Sequence, residues 1–442
     1  MTWLSLPWAD LTVAVPLVGA AVVGRVADIG VAGRWCLGFS LATLGCAVLA
    51  GLAFAAGATG TGLFRVDELS APLLPLVALL HVLTVLATAR TKMNRVSFTG
   101  HLAGEAVRLA TFATVEPWPL IALLSAATVL PFVELVKRGA PTRVYVLHMA
   151  LFVGLLTAGW AGVEAGAAWG PVALMAAILV RSGTVPVHLW VADLFEHGSF
   201  GTALLFVAPI AGVYAALRLV LPVAPDWVLT GIGAFSLVTA VYAAGMAVVQ
   251  RDARRFFAYL FLSHASLVLV GLELHTVISL TGALCLWVSV VLSLGGLGLT
   301  LRAVEARYGR LSLAGHQGLY ARSPALAVCF LLTGLGSVGF PGTLGFVAAE
   351  LLVDGAIHAN LFVGVALVLA AAVNGIAVVR AYLLLFTGAK SASPVAVGIT
   401  PKERFAVLVL AALVLGGGLV PQALVASRFH AAETLLRERN PR

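Results

Sequence analysis

The sequence predicts an all-α polytopic membrane protein of about fourteen transmembrane helices, two of them broken, and three observations carry that reading. Hydrophobic residues make up 61% of the chain and charged residues 10%, with a mean hydropathy of +1.05, a balance that soluble domains do not show. Apolar stretches of roughly the 20 residues needed to cross a hydrocarbon core recur along the whole length. Two of those stretches carry helix-breaking residues beside ionisable ones, a combination that marks transport pathways at membrane depth.

Taken in order, the expected spans are 9–28, 34–56, 70–90, 98–115, 117–136, 143–163, 168–190, 201–221, 228–250, 255–273, 276–300, 325–352, 360–386 and 404–424. The first follows a short N-terminus without positive charge or a small-residue cleavage pattern, so it is expected to be a retained helix. The fourth carries His101, Glu105 and Arg108 within one candidate helix. The loops argue for keeping it, because Lys and Arg then collect on one side. Loops after odd spans hold Arg25, Arg34, Arg90, Lys92, Arg95, Lys137, Arg138, Arg143, Arg251, Arg254, Arg255, Arg302, Arg307, Arg310, Arg322, Lys390, Lys402 and Arg404, which is most of the 27 basic residues. Both termini are therefore expected to face away from the cytoplasm.

The net charge of +8 is read as orientation charge beside anionic lipid, not as a nucleic-acid surface. Cys36, Cys46, Cys285 and Cys329 lie inside apolar spans without metal-ligand spacing and are read as small core residues. No cofactor and no metal site is expected. Residues 1–442 are expected to form a single membrane domain with no soluble module.

The first break lies in AILVRSGTVPVHLWVADL, residues 177 to 194, where Arg181 precedes Pro186 by five residues and His188, Trp190 and Asp193 follow. The second lies in LLTGLGSVGFPG, where Gly334, Gly336 and Gly339 spell a dinucleotide-like GxGxxG. That fingerprint needs a strand before it and a helix after it. Inside an apolar span, Gly339 and Pro341 instead mark a helix break comparable to the one from Ser182 to Pro186. Each break is followed by an acidic residue, in VADL and AAEL, and two interrupted spans in corresponding halves suggest an inverted repeat.

Five ordered segments resemble the antiporter-like membrane subunits shared by respiratory complex I and the multisubunit sodium/proton antiporters. FRVDELSAPLLPLVALLHVLTVLATA, residues 64 to 89, is similar to the family's third-helix segment. RSGTVPVHLWVADL looks like its Lys-x-x-x-x-Pro-x-His-x-Trp-x-x-Asp signature. QRDARRFFAYLFLSHASLVLVGL, residues 250 to 272, resembles the Gln-x-Asp-x-Lys-Arg-x-x-Ala-Tyr segment. GFPGTLGFVAAELLV matches the second break, and NGIAVVRAYLLLFTG with TPKERFAVLVLAALVLGGGLVPQAL matches the closing helices.

The resemblance implies two inverted five-helix repeats, here 98–221 and 228–386, and a mid-membrane line of charge that relays protons. This chain keeps few of the relay groups. The helix-five glutamate is expected near Ser125 to Ala127, where no carboxylate occurs. Glu134, about 13 Å further along a helix, is expected to pair at the interface. Arg181 stands where the resemblance places the helix-seven lysine. A relay lysine must lose and regain its proton, whereas a guanidinium stays charged. Arg181 is thus expected either to act electrostatically or to pair with a carboxylate or broken-helix carbonyls. Ile210 stands near the helix-eight lysine position, and the helix-eleven run GALCLWVSVVLSLGGLGL has neither histidine nor lysine. Glu350 is either the helix-twelve relay residue displaced by one position or the acidic residue that follows it, since Ala349 aligns with the usual charge.

The ion-pathway candidates are therefore Arg181, His188, Glu350 and His264. His188 is expected to serve the pathway or to cap freed carbonyls at the first break, while His148 and His81 are expected to be satisfied packing histidines. The resemblance implies a membrane subunit of a proton- or cation-translocating complex in the bacterial inner membrane, with other membrane subunits and a soluble redox or zinc-containing subunit as possible partners. A subunit of a DAB-type inorganic carbon uptake complex, or a non-conducting scaffold anchoring a soluble partner, are the alternatives. The absence of a long lateral helix after the last span favours the shorter subunit types.

Overall fold

A computed structural model of the chain describes residues 6–58, 62–89, 93, 96–274, 276–388 and 400–439. The expected loop charges Arg90, Lys92, Arg95 and Lys390 lie outside the described residues. Within them the chain is helical, and its one β feature is an isolated bridge between Asp252 and Ser312. It divides into two compact units, Met1–Val133 and Glu134–Arg442.

The first unit holds α1 (Trp8–Val23), α2 (Ile29–Ala55), α3 (Leu73–Leu86), α4 (Phe98–Phe112) and α5 (Pro117–Ala127), with α6 (Val129–Lys137) running across the boundary. Its helix starts are written locally. The Asp28 carboxylate accepts from Val31 N at 2.6 Å to open α2, the Ser97 hydroxyl accepts from Gly100 N at 3.1 Å to open α4, and Pro117 sits in the first turn of α5. A small apolar cluster of Ala20, Val23, Ala32, Cys36, Val85, Phe98 and Leu102 joins α1 to α4.

The second unit contains α7 (Arg143–Glu164), α8 (Gly170–Ser182), α9 (Leu189–His197), α10 (Phe200–Val207), α11 (Ala211–Ala215), α12 (Asp226–Val249), α13 (Ala253–Glu273), α14 (Val277–Tyr308), α15 (Pro324–Ser337), α16 (Leu344–Ala359), α17 (Leu361–Phe386), α18 (Pro401–Leu419) and α19 (Gln422–Arg439). A π-helical turn, Ala216–Val220, continues α11. The 32-residue α14 is the axis of this unit and is enclosed by α13, α15, α16, α18 and α19. Glycines let it be approached closely: a Cβ on Gly282 would meet the Leu352 amide of α16 at 2.5 Å. In contrast α17 leaves Phe362, Val365, Val368, Leu369 and Ile376 exposed, an apolar face suited to lipid.

Among the described residues, eight helices are long and apolar enough to cross a membrane, or nine with the bent pair α18 and α19. That is fewer than the fourteen expected. The helices α1, α3, α8 and α15 are apolar but have 13 to 16 residues, about 20–24 Å at 1.5 Å per residue against a core of about 30 Å. The charges of α4 keep it out of the apolar set. The sequence reading also missed α19, whose polar run ASRFHAAETLLRER carries no span signal. It bends 80° from α18, buries Arg428 and pairs Arg439 with Asp226.

Charge pairs fix the helix ends of the second unit. Arg307 of α14 grips Glu403 of α18 with both terminal nitrogens, at 3.0 and 2.6 Å, and both side chains are buried. Glu403 also closes a capping box with Thr400. Replacing Arg307 by Ala strands a buried carboxylate and is expected to cost about 3–5 kcal/mol. Thermal unfolding in detergent measures it, and the double variant Arg307→Met/Glu403→Gln is expected to recover part of the loss.

Candidate functional site

The site of the second unit is a set of three helix breaks. At each of them the backbone leaves carbonyls without intrahelical donors. In an apolar surrounding such groups need other partners.

The first break separates α8 from α9. Gly183 takes a left-handed φ of 69° that ends α8, and Val185–Pro186 is a cis peptide. Trp190 Nε1 donates to Val180 O at 2.9 Å, Thr184 Oγ1 donates to Leu179 O at 3.0 Å, and Val185 N donates to the Thr239 hydroxyl of α12 at 2.9 Å. His188 takes no part in this capping. It is buried, and neither ring nitrogen makes a well-formed hydrogen bond, with only a weak contact to Pro186. Its ring packs against Tyr242 and Tyr259, centroids 5.3 and 6.1 Å away.

The second break lies inside the expected eighth span, between α10 and α11, and the sequence reading did not place it. Pro209 is the signal it left unused, and Ile210 follows in a left-handed conformation with φ 49°, which is strained for a β-branched residue. Arg181 Nη2 donates to Phe206 O at 3.2 Å, and Trp287 Nε1 of α14 donates to Pro209 O at 3.0 Å. The Arg181 guanidinium lies 4.2 Å from the Phe206 ring centroid and 5.7 Å from that of Trp190, so its charge is held by π-faces and a carbonyl. Among the described residues no carboxylate pairs with it. Beside it is a cavity with room for about one water molecule, lined by Arg181, Ser182, Trp190, Ile210 and Phe261. Arg181 Nε and Ser182 Oγ are the polar atoms there without a protein partner. A Cβ on Gly212 would fall 2.3 Å from Ser182 Oγ, so glycine keeps that hydroxyl in place.

The third break runs between α15 and α16 and contains Gly339 and Pro341, as the sequence suggests. Its donor is His264 of α13. Nε2 meets Ser337 O, at the end of α15, at 2.9 Å, and Nδ1 meets Leu260 O at 2.8 Å. A neutral imidazole has one N–H and can satisfy one of these carbonyls. The imidazolium satisfies both.

The remaining candidates fall elsewhere. Glu350 is exposed on α16, away from the buried face of Leu344, Gly345, Ala348 and Leu352. Glu134 pairs with Arg138 at 2.7 Å and also accepts from Ser199 N at 2.8 Å, at the start of α10. His148 bonds back to Val144 O at 2.8 Å. Arg254 clamps Glu305 with two nitrogens and donates to Phe195 O and Gly198 O, covering the end of α9.

The family model described as NADH:quinone oxidoreductase/Mrp antiporter, TM, matches residues 144–374, more than half of the chain and all three breaks. The chain belongs to this family. Within it, subunit N of the NADH-quinone oxidoreductase of Thiobacillus denitrificans is 30% identical over 268 residues, covering 58% of this chain and 55% of the relative. Subunit N 1 of Chloroherpeton thalassium is 27% identical over 269 residues, covering 58% and 56%. The chain spans about half the length of these curated relatives. By fold, this antiporter-family chain matches a chain of respiratory complex I from Thermus thermophilus with a TM-score of 0.88 at 20% identity, over 98% of this chain and 100% of the other. It matches a chain of the Mrp complex from Dietzia sp. DQ12-45-1b at 0.82 and 19% identity, over 98% of each. Family and apolar helices together make it an integral, multi-pass membrane protein.

The capping role of His264 is testable. His264→Leu leaves the buried Ser337 carbonyl without this donor and is expected to lower stability by about 1–3 kcal/mol, while His264→Gln retains an amide donor and recovers part. Unfolding midpoints in detergent measure both, and a Leu variant as stable as the parent contradicts the role.

Proposed function

We propose that the chain is a membrane subunit of a proton- or cation-translocating complex of the NADH-quinone oxidoreductase and Mrp antiporter class, resident in a bacterial inner membrane, with a depleted charge relay of its own. The observation that carries this reading is Arg181. A permanently charged side chain occupies the first break, anchored to the Phe206 carbonyl and two aromatic faces and paired with no carboxylate among the described residues. Such a group sets a potential but does not hand a proton on at accessible pH. On this reading the fourteen short and long segments all cross the bilayer, and 98–221 and 228–386 are the inverted repeats.

Other membrane subunits are the proposed partners, and the third break supports them. Phe340, Pro341 and Gly342 are exposed, as is Glu350 on the helix that follows. Irregular backbone and a carboxylate do not face hydrocarbon without cover. A neighbouring subunit supplies that cover, and the solved chains of the same fold come from multisubunit assemblies: complex I, the Mrp complex and the membrane-bound sulfane sulfur reductase, an archaeal respiratory membrane complex.

Purification of the native assembly in mild detergent through a tag on this chain tests the reading. Further membrane subunits are expected in the same particle by mass spectrometry. Recovery of the chain alone overturns the multisubunit assignment.

A further inference from the structure

The first unit contains a buried ionisable cluster that the breaks of the second unit do not use. Glu105 and His101 lie on α4, His81 on α3 and Ser40 on α2, and Glu105, His81 and Ser40 are fully buried. Ser40 Oγ donates to Glu105 Oε2 at 2.6 Å, while Glu105 Oε1 has no hydrogen-bond partner. His81 Nδ1 lies 3.3 Å from His101 Nε2, and Arg108 Nη1 lies 3.2 Å from His81 Nε2. One ligand-type atom from each of His81, His101 and Glu105 falls within 4.8 Å of the others.

These contacts fix the direction of the chain of donors. A guanidinium only donates, so His81 Nε2 accepts from Arg108 and the His81 proton sits on Nδ1, from which it is donated to His101. The same geometry argues against a metal ion. Metal at His81 Nδ1 would need that lone pair, would turn the Nε2–H against the guanidinium, and would leave the ligand without the acceptor that metal-binding histidines find for their second nitrogen. It would also bring a divalent charge beside the cluster that holds the Arg108 guanidinium. One added proton is a far smaller change, because it alters the cluster's charge by a single unit.

We propose that Glu105, supported by His81, His101 and Arg108, is a proton-exchange site of the first unit, with the proton carried on Oε1. A bare carboxylate oxygen without a donor is costly in an apolar interior, and a proton arriving from water removes that charge without any other bond changing. Among the described residues α2 brings the Cys36 thiol, α3 brings His81, and α4 brings His101 and Arg108. The Asp10 carboxylate of α1 is engaged by Leu63 N and Phe64 N, and α5 carries no charged side chain. Gly104 makes the arrangement possible, because a Cβ there would lie 2.6 Å from Arg108 Nη1.

Infrared difference spectra of the full chain in lipid nanodiscs, stepped between about pH 5 and pH 9, test the proposal. The expected signal is a protonated-carboxyl band that titrates, is lost in Glu105→Gln, changes frequency in Ser40→Ala, and has its midpoint moved at least about tenfold in proton concentration by His81→Gln or Gly104→Ala. Should Glu105→Gln fail to fold, Glu105→Asp keeps a carboxyl and is expected to move the band. Wild-type spectra identical to those of the Glu105 variants overturn the proposal. Stoichiometric transition metal retained by the natively purified chain and lost in His81→Gln also overturns it, making the cluster a metal centre instead.

Discussion

Everything distinctive about the second unit follows from the need to satisfy backbone carbonyls where a helix stops inside an apolar interior. A continuous helix meets that need by itself. A broken one borrows donors, and this chain borrows them from side chains that the sequence leaves among apolar residues: Trp190, Thr184 and Thr239 at the first break, Arg181 and Trp287 at the second, His264 at the third. The donors also tie the breaks to one another. Arg181 belongs to α8 yet serves α10, and Trp287 and His264 bring the long buried helices α14 and α13 to breaks elsewhere in the chain.

This gives Arg181 a physical reason to be where it is. A lysine ammonium is a compact point charge that can give up its proton when buried, whereas a guanidinium is planar, permanently charged and stacks on aromatic faces. Phe206 and Trp190 supply those faces and the Phe206 carbonyl supplies the hydrogen bond. The residue thus does the work of a helix cap with a fixed charge. His264 is different in kind, because its two ring nitrogens face two carbonyls and only a ring carrying two protons donates to both.

Much of this was legible in the sequence. The membrane class follows from composition, and the first and third breaks follow from Pro186, Gly339 and Pro341, since proline and glycine act locally on the backbone. Arg181 and His264 were identifiable as unusual residues in apolar runs. Their partners were not, because Ser337 is 73 positions from His264 and Phe206 is 25 from Arg181, and separation in sequence carries no distance. The break at Pro209 was hidden inside a run that otherwise reads as one span. The His81–His101 pair was missed for a related reason: His81 alone reads as a packing histidine and His101 as one of three polar residues in a doubtful span, and only the folding of α3 against α4 makes them neighbours. Glu350, which the sequence leaves as either the helix-twelve relay residue displaced by one position or the acidic residue that follows it, lies on an exposed face of α16.

On the proposed function, the permanent charge at the first break leaves the second unit alone unable to relay protons. Proton flux into vesicles holding only the purified chain, followed with an internal pH dye under an imposed gradient, tests it most directly. Flux no greater than that of protein-free vesicles is predicted. Robust flux that is abolished by Glu350→Gln and retained in Arg181→Lys would contradict it.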